Sequence, residues 1–326
     1  MAINMKGSHR IIVQNKRIRY DFEVKRNITV IRGDSATGKT ALVAMIREHF
    51  ENGNASGVEL TCDKECTVLD GRTWAGQLSM MRNCIVFIDE GNDFVMGDDF
   101  ADAIQKTDNY YIIITREGIP SLPYSVEEIY GIRDSGKYGI LKRTYNEFYH
   151  LYQISGFHQP VKPKQIITED SNSGFHFFHG ICEKKGQIAC ISAQGKSKIF
   201  SAVTNHLDEK ILVVADGSAF GPEMGKLMSL MERFSNIVLY LPESFEWIIL
   251  KSGVVEGNGI AEILEHPEDY IESKDFFSWE RYFTALLIRS TQGGYLKYSK
   301  KQLNPAYLQE KVSDKILSVM DSIDLS

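Results

Sequence analysis

No apolar stretch of the sequence approaches the roughly eighteen residues that a helix needs to cross a bilayer, so no membrane span is expected. The first thirty residues, from MAINMKGSHR through KRNITV, alternate charged and apolar positions and lack the uninterrupted apolar core of a signal peptide. Nothing in them suggests lipid anchoring. Cysteine is scarce: Cys62, Cys66, Cys84, Cys182 and Cys190 form an odd, scattered set of 5, which argues against a disulfide framework and for reduced thiols in a cytoplasmic protein. Cys62 and Cys66 could be half of a zinc site, but no second Cys/His pair stands at ligand spacing, so structural thiols are expected. Positive charge is in deficit as well, with 37 Lys and Arg against 43 Asp and Glu. A formal charge of -6 gives no global field to hold nucleic acid, and any such contact must come from a local patch. Internal repeats and low-complexity segments are also missing.

What remains is ordinary globular material, 326 residues with 43% hydrophobic and 25% charged content, long enough for two domains with a sizeable core. Two alternating segments, Arg10–Val13 and Lys16–Val24, flank Gln14-Asn15 and predict a hairpin that leads into a third strand at Ile28–Ile31. A helix is predicted over Ala41–Phe50, with Leu42, Met45 and Ile46 on one side. Short apolar runs follow at Val58–Cys62, Cys66–Leu69, Cys84–Ile88 and Tyr110–Thr115, with a helix at Phe100–Lys106. That rhythm predicts a mostly parallel sheet with crossover helices. The Pro/Lys stretch Gln159–Lys164 reads as a linker. A second cycle then has strands at Gln165–Thr168, Gln187–Ser192, Lys210–Ala215 and Asn236–Leu241, and helices at Gly174–Cys182, Lys196–His206 and Pro222–Phe234. From about Gly259 the chain reads as mainly helical, with a segment at Trp279–Ile288 and a lysine-bearing stretch at Tyr295–Gln302. The expected fold is therefore α/β: a nucleotide-binding domain over 1–155, a second α/β domain over 164–255, and a helical segment over 256–326.

The strand at Ile28–Ile31 feeds Gly33-Asp34-Ser35-Ala36-Thr37-Gly38-Lys39-Thr40, a G-x-x-x-x-G-K-T loop that opens a helix. Gly33 and Gly38 allow turns that aim N–H groups at phosphate oxygens, and the helix beginning near Lys39 adds its positive end. Lys39 supplies a point charge to the outer phosphates, and the Thr40 hydroxyl is placed to ligate Mg²⁺. The apolar run Ile85–Ile88 ends in Asp89-Glu90, as expected for a buried parallel strand that presents Asp89 to the metal shell and Glu90 as the base for water. Thr115, at the end of the Tyr110 strand, is the candidate sensor of the γ-phosphate. Arg116 is the candidate charge-stabilising finger, acting within one subunit or across the interface of a homo-oligomer. With Gly33–Thr40 as Walker A and Ile85–Glu90 as Walker B, residues 10–150 resemble the P-loop ATPases of the AAA and ABC/SMC-type groups. The Asp-Glu ending favours an ATPase over a nucleotide kinase. The chain lacks an L-S-G-G-Q signature, and the segment between the motifs is too short for a coiled coil. It also lacks an N-K-x-D element to select guanine, so ATP with Mg²⁺ is the expected cofactor.

In the C-terminal half, Glu169-Asp170 closes one strand, Asp216-Gly217 another, and Asn236–Leu241 ends at Pro242-Glu243-Ser244-Phe245-Glu246. Carboxylates at the ends of adjacent parallel strands can converge on a divalent metal. This order looks like the Toprim fold of topoisomerases, primases and overcoming-lysogenisation-defect nucleases. The resemblance implies that Glu169 matches the strand-end glutamate and Asp216 the first aspartate of an Asp-x-Asp element, while Ser218 stands where the second aspartate belongs. A site lacking that ligand is not expected to cleave phosphodiesters readily. Gly195-Lys196-Ser197 is an incomplete phosphate loop, because Cys190 occupies the position of its first glycine. His176 and His179, among Phe175, Phe177 and Phe178, read as part of a core or interface helix.

The leading expectation is a Mg²⁺-dependent ATPase whose cycle alters a C-terminal domain acting on nucleic acid or on a partner protein. The alternatives are a nucleotide-gated nuclease using Glu169 and Asp216, and an ATP-bound scaffold that does not hydrolyse. ATPases joined to Toprim-like domains resemble components of bacterial defence and mobile-element systems, which suggests that setting by analogy.

Overall fold

A computed structural model describes residues 5–33, 37–136, 143–152 and 160–325. Asp34, Ser35 and Ala36 of the glycine-rich loop, and Gln159 of the expected linker, lie outside the described residues. The chain divides into two compact units, one of Met1–Tyr152 with Glu268–Phe277, the other of Gln153–Pro267 with Ser278–Ser326.

The first unit is built on nine strands: β1 (His9–Gln14), β2 (Ile18–Val24), β3 (Ile28–Ile31), β4 (Glu59–Thr61), β5 (Glu65–Val68), β6 (Cys84–Ile88), β7 (Tyr110–Ile114), β8 (Ile129–Asp134) and β9 (Thr144–His150). They form one sheet in the order β4-β1-β2-β9-β8-β3-β7-β6-β5. Antiparallel pairing is confined to β1 with β2 and β4, and to β8 with β9; the other pairs are parallel. The expected hairpin forms because the Asn15 side chain accepts the N–H groups of Arg17 and Ile18 and closes the turn. Helix α1 (Lys39–Asn52) buries Leu42, Val43, Met45 and Ile46 against a core that includes Ile11, Val13, Tyr20, Phe22, Phe87 and Ile112. Two shorter helices, α2 (Trp74–Leu78) and α3 (Asp98–Ile104), follow.

Strands β3, β6 and β7 are buried at every position, which explains why their sequences do not alternate; the one polar residue of β3, Thr29, donates its hydroxyl to Glu128 at 3.0 Å. Burying each side chain of Ile85–Ile88 contributes about 1.5–3 kcal/mol. Residues that follow these strands are thus carried on fully buried strands of the unit.

The second unit holds β10 (Gln165–Thr168), β11 (Ala189–Ser192), β12 (Ile211–Val214) and β13 (Ile237–Tyr240), all parallel, in the order β11-β10-β12-β13. Its helices are α4 (Ser173–Lys185), α5 (Ile199–Thr204), α6 (Met224–Met231), α7 (Phe245–Lys251) and α8 (Ile260–Glu265); after α9 (Pro267–Tyr270), α10 (Trp279–Ser290) and α11 (Glu310–Leu317) complete it. Phe177 and Phe178 of α4 are fully buried and pack on Phe245, whereas His176 and His179 remain half-buried on the same helix. The Tyr295–Gln302 stretch is irregular, since Gly293-Gly294 follows α10 and the Tyr298 N–H is taken by the Thr291 hydroxyl at 3.0 Å. Among the described residues no helix is long and apolar enough to cross a membrane.

Candidate functional site

Strand β7 pairs on one side with β3 and on the other with β6, and the three run parallel. Ile31 lies level with Ile114, and Ile88 with Ile113, so all three end within one residue of each other. The loop that begins at Gly33, the pair Thr115-Arg116 and the pair Asp89-Glu90 therefore leave the same carboxyl edge, where open α/β sheets bind ligands. Two strand spacings, roughly 10 Å, separate the loop strand from the Asp-Glu strand, with Thr115 between them.

Gly33 and Gly38 both adopt positive φ, 126° and 92°, a region that costs other residues strain. Gly38 is also constrained by space: a Cβ there would lie 2.7 Å from the Tyr20 hydroxyl and 3.3 Å from the Asn146 amide. That hydroxyl donates to the Gly38 carbonyl at 2.8 Å, so a fully buried tyrosine of β2 braces the end of the loop. Sequence reading did not single out Tyr20, which belongs to the alternating pattern of its strand. Gly38 then caps α1 without any side-chain capping bond, and no acidic residue occupies the first turn. Helix geometry leaves the first amide N–H groups without intrahelical acceptors, which makes this end receptive to an anion.

Lys39 is 6% exposed, and its Nζ donates to the Gly33 carbonyl at 2.8 Å and to the Thr37 hydroxyl at 3.0 Å. The ammonium thus curls over the loop that it is expected to serve. Thr40 is exposed. Asp89 is half-buried; its Oδ1 accepts the Glu90 N–H at 2.8 Å, and Oδ2 has no hydrogen-bond partner among the described residues. Thr115 is 5% exposed, and its hydroxyl closes a local turn with the N–H and carbonyl of Glu117. Arg116 forms an ion pair from Nε to Oε1 of Glu90. With uncapped amides, a lysine, an exposed hydroxyl and a strand-end carboxylate on one edge, the residues suit a phosphate chain with a hard divalent cation.

In the second unit the chain leaves β10 for β11 on one side and then crosses to β12 on the other, so the gap beyond β10 and β12 is the topological switch point. Glu169 and Asp216 stand there, partly buried and in direct contact: Oε2 of Glu169 accepts the Asp216 N–H at 3.1 Å. Asp216 Oδ1 in turn accepts the Phe245 N–H at 3.2 Å. Gly217 is held against the end of β13, where a Cβ would lie 2.5 Å from the Leu241 carbonyl oxygen. Both carboxylates line a cavity of about 30 Å³ with Glu246, Tyr298 and Lys300. The Tyr298 hydroxyl donates to Glu246 at 2.9 Å, and Lys300 is ion-paired with Glu280. Glu246 lay within a recognised strand end, but Glu280, Tyr298 and Lys300 carried no motif to mark them. Ser218 is buried and its hydroxyl has no hydrogen-bond partner among the described residues.

Burial, then the neighbouring Glu280, Glu169 and Glu246, push the Asp216 carboxyl well above its usual range. Burial, with Glu280 and Asp170 nearby, raises Glu169 to about 7, although the Asp216 N–H and Lys196 oppose the rise. Lys300 shows the reverse balance: burial works against its charge, yet Glu246, Glu280 and Asp216 hold its pKa above that of a free lysine. The cluster is thus partly neutralised by an ammonium of the chain's own, and among the described residues no group of three His, Cys, Asp or Glu side chains is arranged to hold a metal ion.

A carboxyl whose pKa is raised by folding stabilises the fold fully below its unfolded value, and that contribution is lost as pH rises through the folded value. The second unit should therefore lose about 1–3 kcal/mol as pH rises from about 4.5 to about 7. Glu169→Gln should flatten this slope by about one proton. Denaturant titrations at pH 5 and pH 8 measure it, and an unchanged slope in the variant would remove Glu169 from the account. All five cysteines are free thiols. Comparison with known proteins matched no family model, no curated protein and no solved structure.

Proposed function

We propose that the chain is an ATPase that binds ATP with Mg²⁺ through Gly33–Thr40 and hydrolyses it with Asp89 and Glu90, and that its nucleotide cycle controls the second unit in an action on nucleic acid or a partner protein. The observation that carries this reading is the position of β7 between β3 and β6, which sets the loop, Thr115 and the Asp89-Glu90 pair at one edge. Lys39 and the amides that open α1 would hold the phosphates, and Thr40 and Asp89 the cation. That cation would draw charge from the β- and γ-phosphate oxygens. Glu90 would take the proton of the attacking water, and Thr115 would contact the γ-phosphate.

On this reading the first unit is a P-loop domain similar to the AAA and ABC/SMC-type ATPases. The second is a Toprim-like domain, supported by its parallel four-stranded sheet and by Glu169 and Asp216 at the ends of neighbouring strands. Titration calorimetry of the full chain with Mg²⁺ and either ATP or GTP tests the reading, together with phosphate release at saturating nucleotide. Saturable binding that prefers ATP, weakens when EDTA removes the metal and leads to steady phosphate release is the expected result. Binding without release would leave an ATP-bound scaffold, and the absence of saturable binding would overturn the proposal.

A further inference from the structure

The cation expected to meet the outer phosphates and the carboxylate expected to act on water are both engaged within the protein. Lys39 bonds to its own loop, and Glu90 is ion-paired with Arg116. The second engagement has a specific geometry. Arg116 follows directly on Thr115 at the end of the strand lying between the loop strand and the Asp-Glu strand. Its backbone carbonyl accepts Nη2 of Arg32 at 2.7 Å, and Arg32 is the residue that leads into Gly33. The start of the loop, Arg116 and Glu90 thus form one chain of contacts along the edge.

The chemistry of that chain sets its use. The guanidinium of Arg116 holds Oε1 of Glu90 and so turns that oxygen toward the arginine and away from the water it would activate. Opening the pair frees Oε1 of Glu90 to face the water. The pair is also easily opened, since its side chains are 65% and 35% exposed and such surface pairs shift an equilibrium by less than about fivefold. A γ-phosphate carries more charge than one carboxylate and matches the planar fork of arginine, so it is the stronger partner.

We infer that Arg116 reports the γ-phosphate within its own subunit: it holds Glu90 closed in the absence of ATP and releases it by turning to the phosphate when ATP arrives. The inference rests on the ATPase reading of the same edge and adds how that edge tells ATP from ADP. ADP lacks the group that draws Arg116 away, so the Glu90–Arg116 pair persists with the product bound.

Affinities of the full chain for ATP and ADP with Mg²⁺, measured for wild type, Arg116→Ala, Arg116→Lys, Glu90→Gln and the Arg116→Ala/Glu90→Gln double variant, test the switch. Arg116→Ala should weaken ATP at least tenfold, leave ADP within about threefold, and lower kcat at least a hundredfold. Arg116→Lys, which keeps the charge and loses the fork, should recover part of the ATP preference. Glu90→Gln should tighten ATP by up to about fivefold by freeing Arg116, and the gain should vanish in the double variant. Equal losses of ATP and ADP affinity in Arg116→Ala, or a gain in Glu90→Gln that survives in the double variant, would overturn the inference while leaving the ATPase reading intact. Unchanged binding and turnover in Arg116→Ala would make the pair a surface contact only. Failure of the wild-type chain to bind either nucleotide would instead sink the parent reading. Arg116 is exposed, and a melting temperature equal to wild type verifies that each variant is folded.

Discussion

Replacing Lys39 with alanine is expected to weaken ATP binding by about 10² to 10⁴ while the chain stays folded. Each charge-assisted hydrogen bond from the ammonium to a phosphate oxygen is worth about 1.5–3 kcal/mol, and Lys39 would make one to each of the two outer phosphates. The side chain lies against the loop, bonded to Gly33 and Thr37, so its cation is held at the segment expected to take the phosphates. Loss of the stem should do little to the fold. Alanine is the best helix former at the first position of α1, and the exposed Gly33 can exchange the lost donor for water. Calorimetry with Mg²⁺ measures the effect, and equal ATP affinity in the variant and the parent would end the phosphate-site reading.

Glu90→Gln should separate binding from turnover. The amide keeps the shape of the side chain and loses the base, so phosphate release at saturating ATP is expected to fall by about 10² to 10⁴, or about 3–5 kcal/mol in the barrier. Nucleotide affinity should not fall with it, because no phosphate contact is assigned to Glu90. Single-turnover measurements distinguish slow chemistry from slow product release. If the variant turns over at the parental rate, Glu90 only closes the strand and another group positions the water.

The local parts of this architecture were legible in the sequence, and the distant parts were not. Strands β3, β6 and β10 have the bounds read from composition, since a run such as Cys84–Ile88 has only one environment that accepts it, a strand covered on both faces. Strands β8 and β9 were not foreseen. Their residues, Ile129–Asp134 and Thr144–His150, mix aromatic, acidic and histidine side chains, and β9 is held between β2 and β8 by pairing with residues more than a hundred positions away as well as by nearby ones. No local pattern encodes that register. The same distinction runs through the sites. Gly33–Thr40 and Asp89-Glu90 are contiguous motifs, whereas Glu169, Asp216, Glu246 and Lys300 reach one cavity from four separate parts of the chain. The Glu90–Arg116 pair falls between these cases: both residues were singled out at strand ends, but their contact appears only once β6 and β7 are neighbours.

Residues Glu268–Phe277 complete the first unit from far along the chain. Glu268 pairs with Lys25 at 2.9 Å, the Glu272 carboxylate accepts the Met5 N–H at 2.8 Å, and the Ser273 carbonyl accepts the buried amide of Asn27 at 2.9 Å. During synthesis this segment leaves the ribosome about 115 residues after Tyr152, a delay of roughly 6–25 seconds at 5–20 residues per second. Through that interval the residues that lead into β1 and β3 would lack these contacts, while the second unit's four described strands emerge. The order of translation therefore differs from the order of domains, and the nascent first unit must stay competent to receive a strap made after much of its neighbour.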